Sequence, residues 1–174
     1  MSLPLTLTRL RLRRLRPDDL RDFQAYRQDP EVARYQGWSA QSDESARAFL
    51  ADMAQASAFV PGNWFQLGIA DAASDRLLGD IGVHVQADGA AAEIGFSLNR
   101  AAQGQGLARE ALEGLLTQIL FATPGLHEVH GITDARNHAS LALLRRLGFV
   151  EQARWATEFK GEACEEVRCV RALA

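Results

Sequence analysis

Two glycines separated by one residue, Gly104 and Gly106, stand between an apolar segment and an amphipathic segment. Glycine beside a helix costs stability unless the backbone needs a left-handed conformation or a ligand must approach it closely. The first amides of a helix have no acceptor within the helix, and the helix dipole adds partial positive charge there. A strand, a glycine loop and a helix start in this order therefore predict an anion site, and phosphate is its usual occupant.

Two well-known phosphate-binding motifs do not fit this loop. A dinucleotide-binding G-x-G-x-x-G would need glycine at position 109, which is Arg109. A Walker loop needs Gly-Lys followed by Ser or Thr, and no Gly-Lys pair occurs in the sequence. The loop is therefore an anion site of another type, or an ordinary glycine-containing entry to a helix.

Polar residues on the neighbouring predicted strands could serve acid–base chemistry beside this loop. Glu93 lies early in the strand that leads into the loop, on the opposite face from Ile94. Asp80 and His84 share one face of the preceding strand because they are four residues apart. A carboxylate or an imidazole can take a proton when it has the reach and a suitable pKa. All three are also compatible with ordinary solvated strand residues.

The composition is that of an ordinary globular protein. The chain has 174 residues, of which 47% are hydrophobic and 24% charged, and its net charge is −3. We therefore expect one domain spanning residues 1–174, with no electrostatic attraction toward nucleic acid or anionic membranes. We also expect neither a membrane-spanning segment nor a secretion signal.

The cysteines and histidines do not form a recognisable metal motif. Cys164 and Cys169 are five residues apart without C-x-x-C, so we expect them on opposite faces of a strand as free thiols. Free thiols are typical of a reducing compartment, and a cytoplasmic location is expected. His127 and His130 are three residues apart in a predicted strand, which also separates their side chains. We therefore expect no bound metal.

A basic segment near the start of the chain has the spacing of a strand. Leucine alternates with arginine over residues 9–16, which predicts that Leu10 and Leu12 face a core. The alternating arginines Arg9, Arg11 and Arg13 are expected to face water. The alternative interpretation is a patch that binds an anionic partner.

Hydrophobic periodicity predicts the remaining elements in the order β-α-α-β-β-β-α-β-α-β-β, a mixed α/β fold. Pro17 is expected to open the first helix, and Ser42 or Asp43 to cap the second. The predicted helices end near residues 26, 55, 121 and 147. The predicted strands after the first lie within 63–71, 76–85, 91–99, 127–134, 149–159 and 165–173.

The glycine loop resembles the acetyl-CoA motif of the GNAT acetyltransferase superfamily, Gln/Arg-x-x-Gly-x-Gly/Ala, with Gln103, Gly106 and Ala108 at its defining positions. The resemblance extends over nearly the whole chain. "AEIGFSLNRAAQGQGLAREAL" is similar to the superfamily's central strand, loop and helix, and "VHGITDARNHASLALLRRLGF" to its next strand and helix. The spacing of Asn137 and Ser140 particularly resembles the branch of the ribosomal-protein-alanine N-acetyltransferases. The resemblance implies a mixed, mostly antiparallel central sheet flanked by helices.

The resemblance also implies which residues hold acetyl-CoA, the cosubstrate of that superfamily. Its loop amides bind the CoA pyrophosphate, and its opened central strand pairs with the pantetheine arm. The implied residues here are Gln103, Gly104, Gln105, Gly106, Leu107, Ala108 and Arg109 in the loop, Phe96, Ser97 and Leu98 on the strand, and Asn137 after the next strand.

Acetyl transfer to an amine requires a neutral amine, a donor for the developing oxyanion and a route for the thiolate to leave. Glu93 is the leading candidate for the base, directly or through water, and His84 is the second candidate. Many superfamily members carry a tyrosine acid seven residues after the asparagine, but that position is Leu144 here. The branch suggests Ser140 in its place, although a thiolate can also leave unaided.

The acceptor amine is not specified by these motifs. Tyr35 and Trp38 are expected to form a wall of the acceptor site or to anchor packing. Asp80, Glu93 and Glu162 would favour a cationic amine if they converged. Three functions stay open: acetylation of a protein N-terminal α-amine, acetylation of an amino acid, polyamine or aminoglycoside, and CoA binding by a sensor without catalysis. Members of the branch often form homodimers, which is an expectation from the resemblance alone.

Overall fold

The computed structural model describes residues 3–172. Its strands are β1 (Leu5–Thr6), β2 (Leu10–Arg14), β3 (Trp64–Asp71), β4 (Leu77–Val85), β5 (Ala91–Leu98), β6 (Glu128–Asp134), β7 (Val150–Phe159) and β8 (Glu162–Ala172). Its α-helices are α1 (Leu20–Arg27), α2 (Pro30–Ala33), α3 (Asp43–Gln55), α4 (Leu107–Leu115) and α5 (His138–Arg146).

The strands form an eight-stranded sheet in the order β1-β2-β3-β4-β5-β6-β8-β7. Neighbouring strands are antiparallel except for β5 and β6, which are parallel. The pairing of β5 with β6 extends over only three residues and ends at Glu93 opposite His130. Beyond this point the two strands separate. The mixed, mostly antiparallel sheet confirms the predicted fold class.

Helices cover the sheet on both faces. Leu112 of α4 and Leu144 of α5 belong to one buried cluster with Ile81 and Ile94 of the central strands. Phe23 and Tyr26 of α1 belong to a second buried cluster with Leu50 of α3. Each Å² of apolar surface buried in these two clusters favours folding by about 25 cal/mol.

The basic segment forms β2 as predicted, with Leu10 and Leu12 fully buried. The expectation that Arg13 faces water is wrong, because its side chain is 3% exposed. Its guanidinium donates to both carboxylate oxygens of Asp19 at 2.9 and 2.8 Å, and its Nε donates to Asp75 at 3.1 Å. Burial opposes the charge, but these carboxylates outweigh it and raise the pKa of Arg13. The segment that opens the first helix therefore covers the second face of this strand.

Most predicted elements are confirmed near their predicted bounds. Ser42 caps α3 by accepting a hydrogen bond from the amide of Ser45 at 3.2 Å. The helix predicted to reach residue 121 is α4 followed by a π-helical segment, Leu116–Leu120. The short elements β1 and α2 were not predicted, since two and four residues carry too little periodicity. Cys164 and Cys169 are both free, and no helix within residues 3–172 is long and apolar enough to cross a membrane.

Candidate functional site

The separation of β5 from β6 opens a cleft of about 620 Å³ beside the glycine loop. Strand β5 forms one side, α5 the other, and the segment after α2 crosses above. The cleft brings together many residues that the sequence singled out: Tyr35, Phe96, Ser97, Leu98, Gln103, Gly104, Gly106, Leu107, Ala108, Arg109, Asn137 and Ser140. The site expected at the glycine loop is therefore a real concavity.

The two loop glycines adopt backbone conformations that other residues rarely use. Gly104 has φ 73° and Gly106 has φ 76°, both in the left-handed region. An added Cβ at Gly104 would meet nothing within 4 Å, so the backbone conformation rather than crowding explains this glycine. These turns aim the chain from β5 into the start of α4.

Side chains around the loop hold its shape. Gln103 Nε2 donates to the carbonyl of Leu98 at 3.0 Å, and Gln105 Nε2 donates to that of Ala101 at 2.7 Å. Arg9 donates to the carbonyl of Gln105 at 2.9 Å and forms an ion pair with Glu110 at 2.7 Å. The two glutamines of the motif thus stabilise the loop, and the loop's amides are left to meet a ligand.

The start of α4 has the electrostatics of a phosphate site. The first hydrogen bond of the helix runs from the amide of Glu110 to the carbonyl of Gly106 at 3.1 Å, so the preceding amides have no acceptor in the helix. Arg109 and Arg146 also line the cleft, and both are exposed. The nearest carboxylate to Arg109 is that of Glu113 at 3.8 Å, in solvent. Free amides and two guanidiniums together suit a diphosphate.

Ser97 is a buried polar residue of the cleft. It is 4% exposed, and its Oγ has no hydrogen-bond partner within residues 3–172. Buried hydroxyls rarely stay unpaired, so this oxygen suits a polar group of a bound ligand. Phe96 and Leu98 line the same cleft.

Asn137 and Ser140 lie where α5 begins. Asn137 Oδ1 accepts a hydrogen bond from the amide of Ser140 at 3.2 Å, which makes Asn137 the N-cap of α5. Both residues also line the cleft. Leu144, at the position where a tyrosine acid would stand, is 1% exposed and belongs to the core.

Glu93 and His84 lie on the opposite face of the sheet from α4, at the point where β5 and β6 part. Glu93 stands directly between His84 of β4 and His130 of β6 in the register of the three strands. Its side chain is 32% exposed. The ring of His84 lies 5.3 Å from that of Trp64. Neither Glu93 nor His84 is among the residues that line the cleft on the loop side.

Asp80 shares one face of β4 with His84, but it is fully buried and is not among the residues that line the cleft. Its carboxylate accepts hydrogen bonds from the hydroxyl of Tyr26, from Arg27 Nη2 at 2.7 Å and from Gln66 Nε2 at 2.8 Å. Burial, and then the negative charge of Asp80, raise the pKa of Tyr26 well above its ordinary value. Asp80 is thus held by two residues of α1 and one of β3.

The three carboxylates considered as an acidic pocket do not converge. Asp80 is buried and paired, whereas the side chain of Glu162 is 75% exposed at the β7–β8 turn. Glu162 lies 3.5 Å from Arg136, which also binds Asp134 at 2.7 Å. The hydrogen bond from Arg136 lowers the pKa of Asp134. Glu93 is the one of the three at the strand separation.

The segment after α2 places Tyr35 on the cleft and Trp38 away from it. The Trp38 ring stacks on the guanidinium of Arg27 at 4.3 Å and packs against the second core cluster. Trp38 is therefore a packing anchor in this structure. Gln36 Nε2 donates to the carbonyl of Phe96 at 3.2 Å, and Lys160 donates to the carbonyls of Ala33 and Trp38 at 2.8 and 3.1 Å.

Sequence reasoning missed several residues of the cleft. Gln36 and Arg146 carry no motif of their own, and only the folded chain brings them to the loop. Arg146 had one usable signal, since it lies one helix length beyond Asn137 at the basic end of α5. The other cleft residues that were missed are Glu31, Val32, Ala102, Ala139 and Leu143. Within residues 3–172, no group of three or more His, Cys, Asp and Glu residues is arranged to hold a metal ion.

Comparison with known proteins places this architecture among acetyltransferases. The family model described as "Acetyltransferase (GNAT) domain" matches residues 9–150. The chain is 28% identical over 146 residues to the uncharacterized N-acetyltransferase p20 of Bacillus licheniformis, an alignment that covers 83% of this chain and 80% of that protein.

Solved structures with the same fold include two acetyltransferases bound to coenzyme A. The ribosomal L7/L12 α-N-protein acetyltransferase RimL in complex with coenzyme A matches with a TM-score of 0.82 at 18% identity, over 99% of this chain and 98% of that one. The spermidine N-acetyltransferase of Vibrio cholerae, in complex with CoA and spermine, matches with a TM-score of 0.78 at 20% identity, over 95% and 96%. At these identities the likeness establishes the fold.

Proposed function

The chain belongs to the GNAT acetyltransferase family, and from this premise we propose that it transfers the acetyl group of acetyl-CoA to a protein N-terminal α-amine. The observation that best supports this proposal is the separation of β5 from β6 beside the glycine loop. It brings an opened strand edge next to a helix start that is suited to phosphate. Acetyl-CoA supplies the activated acetyl thioester, and the residues of this chain bind it and handle the amine.

The proposed binding of acetyl-CoA divides between the two sides of the cleft. The amides from Gly104 to Arg109 hold the pyrophosphate, and Arg146 adds a second positive charge. The backbone at Phe96 and Leu98 pairs with the pantetheine arm, with the side chains of Ser97 and Asn137 as further partners. An amide of this strand donates to the thioester oxygen as negative charge develops on it.

Glu93 is proposed to take the proton of the amine, directly or through water. Its partly exposed carboxylate lies at the point where the strands part. His84, whose ring lies 5.3 Å from that of Trp64, is the alternative base. Ser140 lies across the cleft and could donate to the departing sulfur, which also leaves readily because thiols have a pKa of ~8.5.

A single α-amine suits this site better than a polyamine. A polyamine carries several positive charges and needs several free carboxylates. Asp80 is buried in its own network, and Glu162 is exposed beside Arg136. Among the described residues that line the cleft, Glu31 is the single carboxylate. The cleft also contains Arg109 and Arg146, which repel cations. Acetylation of a small amine is the second candidate function, because the chain shares its fold with a spermidine acetyltransferase as well as with RimL.

The decisive experiment measures CoA-thiol release with matched acceptors. Peptides with a free N-terminus are compared with the same peptides carrying a blocked N-terminus and one lysine, and with spermidine. We expect release of the CoA thiol only in the presence of peptides that have a free α-amine. Release that is faster with spermidine would establish the small-amine function, and CoA binding without release from any amine would favour a sensor.

The two free thiols, Cys164 and Cys169, fit the cytoplasmic location that we propose.

A further inference from the structure

A buried histidine on the strand facing Glu93 takes no part in the proposed mechanism. His130 of β6 is 4% exposed, although histidine usually keeps one polar edge in water or bonded. Its Nε2 lies 3.6 Å from Glu93 Oε2. His130 and Glu93 are also the last paired residues before β5 and β6 separate. The imidazole therefore lies next to the carboxylate of the proposed base, on the neighbouring strand.

The burial of His130 indicates which nitrogen carries the proton. Nδ1 has no hydrogen-bond partner within residues 3–172. Buried N–H groups almost always find an acceptor, so the proton belongs on Nε2, which faces Glu93. The 3.6 Å distance is longer than a hydrogen bond. Catalytic contacts are often long in the unliganded protein and tighten when substrate binds, and the proposal requires the same of this pair.

We propose that His130 is a positioning residue for Glu93, whose Nε2–H directs one carboxylate oxygen and leaves the other to accept the proton of the acceptor amine. This inference rests on the proposed function of Glu93 as the base. In the reaction, the amine nitrogen bonds to the acetyl carbon, and the carbon–sulfur bond breaks with its electron pair on sulfur. The amine proton moves to Glu93, which returns it to solvent, while His130 keeps its own proton throughout.

Few other charged groups face this pair. His84 of β4 lies on the far side of Glu93. On β6 itself, Glu128 points to the same face and is held by Arg168 of β8 at 2.8 Å. Directly opposite His130 on β8 is Val170, which is apolar. Glu93 is therefore the acceptor that the His130 ring can reach.

The test compares two substitutions of His130 that differ in the donor they retain. His130→Gln keeps an N–H near the position of Nε2, whereas His130→Leu removes it. We expect His130→Leu to lower kcat about tenfold, a fraction of the 10²–10⁴ that a positioned base contributes. The KM for the peptide and the Kd for acetyl-CoA should stay unchanged. His130→Gln should recover most of the lost rate, and His127→Leu, at an exposed site three residues earlier, should match the wild type.

Two further measurements separate positioning from a merely structural role. The acid limb of the pH profile of kcat should move to higher pH in His130→Leu, because a donor to the charged carboxylate has been removed. In the Glu93→Gln background, His130→Leu should cost no further rate, since the two residues act as one unit. If His130→Leu keeps the wild-type kcat and pH profile while Glu93→Gln is slow, the inference about His130 is wrong and the proposed role of Glu93 still stands. If Glu93→Gln turns over as fast as the wild type, Glu93 is not the base and the positioning role proposed for His130 fails with it.

Discussion

Asp80 illustrates how the role of a polar residue depends on partners that lie far away in the chain. Its carboxylate is fully buried and receives donors from Tyr26 and Arg27, more than fifty positions earlier. Arg27 is itself 7% exposed, so the pair has left water almost completely. Such pairs are favourable only when both charges are present and well bonded. Asp80 is therefore expected to serve stability rather than substrate binding.

Asp80→Asn should accordingly destabilise the protein by about 3 kcal/mol, because it leaves the buried Arg27 guanidinium without a counter-charge. The free energy of unfolding from urea titration measures this loss. Asp22→Asn is the matched control, since Asp22 pairs at 3.0 Å with Arg76, whose side chain is 68% exposed. This exposed pair should contribute less than about 1 kcal/mol. A raised KM for the acceptor with unchanged stability would instead return Asp80 to the substrate site.

The same reasoning explains which residue assignments the sequence could support. The glycine loop was predictable because its signal is local: two glycines, a strand before and a helix after. Arg13 was predicted to face water because alternation along one strand contains no information about what covers its second face. Its partners Asp19 and Asp75 only meet it in the folded chain. Gln36 was missed for the same reason, since its contact with Phe96 spans sixty positions.

At the scale of elements, the β7–β8 hairpin reaches the segment that follows α2. Lys160, the only lysine in the sequence, donates from the hairpin turn to the carbonyls of Ala33 and Trp38. Partial burial in this contact lowers the pKa of Lys160. Tyr35 and Gln36, which line the cleft, lie between the two bonded carbonyls. The hairpin therefore restrains one wall of the cleft.

Lys160→Met should loosen this wall without unfolding the protein. The segment 34–42 keeps two other anchors, the Gln36 hydrogen bond to Phe96 and the stacking of Trp38 on Arg27. Hydrogen exchange of residues 34–42 should become faster, while exchange in α4 stays unchanged as the internal control. The KM for the acceptor should rise and the Kd for acetyl-CoA should not. Unchanged exchange in this segment would show that the lysine contacts carry no restraint.

Elements with strong periodicity were predictable, and short or irregular ones were not. The strands β3 to β6 alternate or are continuously apolar, and α3 has both a cap and an apolar stripe. By contrast, α2 is a single turn held by Asp29. The separation of β5 from β6 could only be inferred from the resemblance, because no local pattern marks where two strands stop pairing.

At the scale of the molecule, ligand binding and folding are linked. The proposed acetyl-CoA site exists only when β5, α4 and α5 are assembled, so the unfolded chain has little affinity for the ligand. A ligand that binds only the native state stabilises it by about 2.7 kcal/mol at a hundredfold excess over Kd. Acetyl-CoA should therefore raise the melting temperature of the whole protein, and the rise reports binding at the loop.

Gly106→Asp is expected to reduce this rise to about half or less, because tenfold weaker binding leaves about 1.4 kcal/mol of stabilisation at the same ligand concentration. Its carboxylate would stand where the loop amides meet the pyrophosphate, and the repulsion should weaken acetyl-CoA binding at least ~10-fold. Gly89→Asp is the matched control, because Gly89 has φ 74° in the β4–β5 turn at the opposite end of β5 and an added Cβ there meets nothing within 4 Å. Both variants carry a similar backbone strain and the same added charge, but an added Cβ at Gly106 lies 3.7 Å from Arg9 Nη2. The ligand-induced shift of each variant is therefore measured from its own unliganded melting temperature. An equal shift in the two variants would mean that the glycine loop is an ordinary entry to a helix and that acetyl-CoA binds elsewhere.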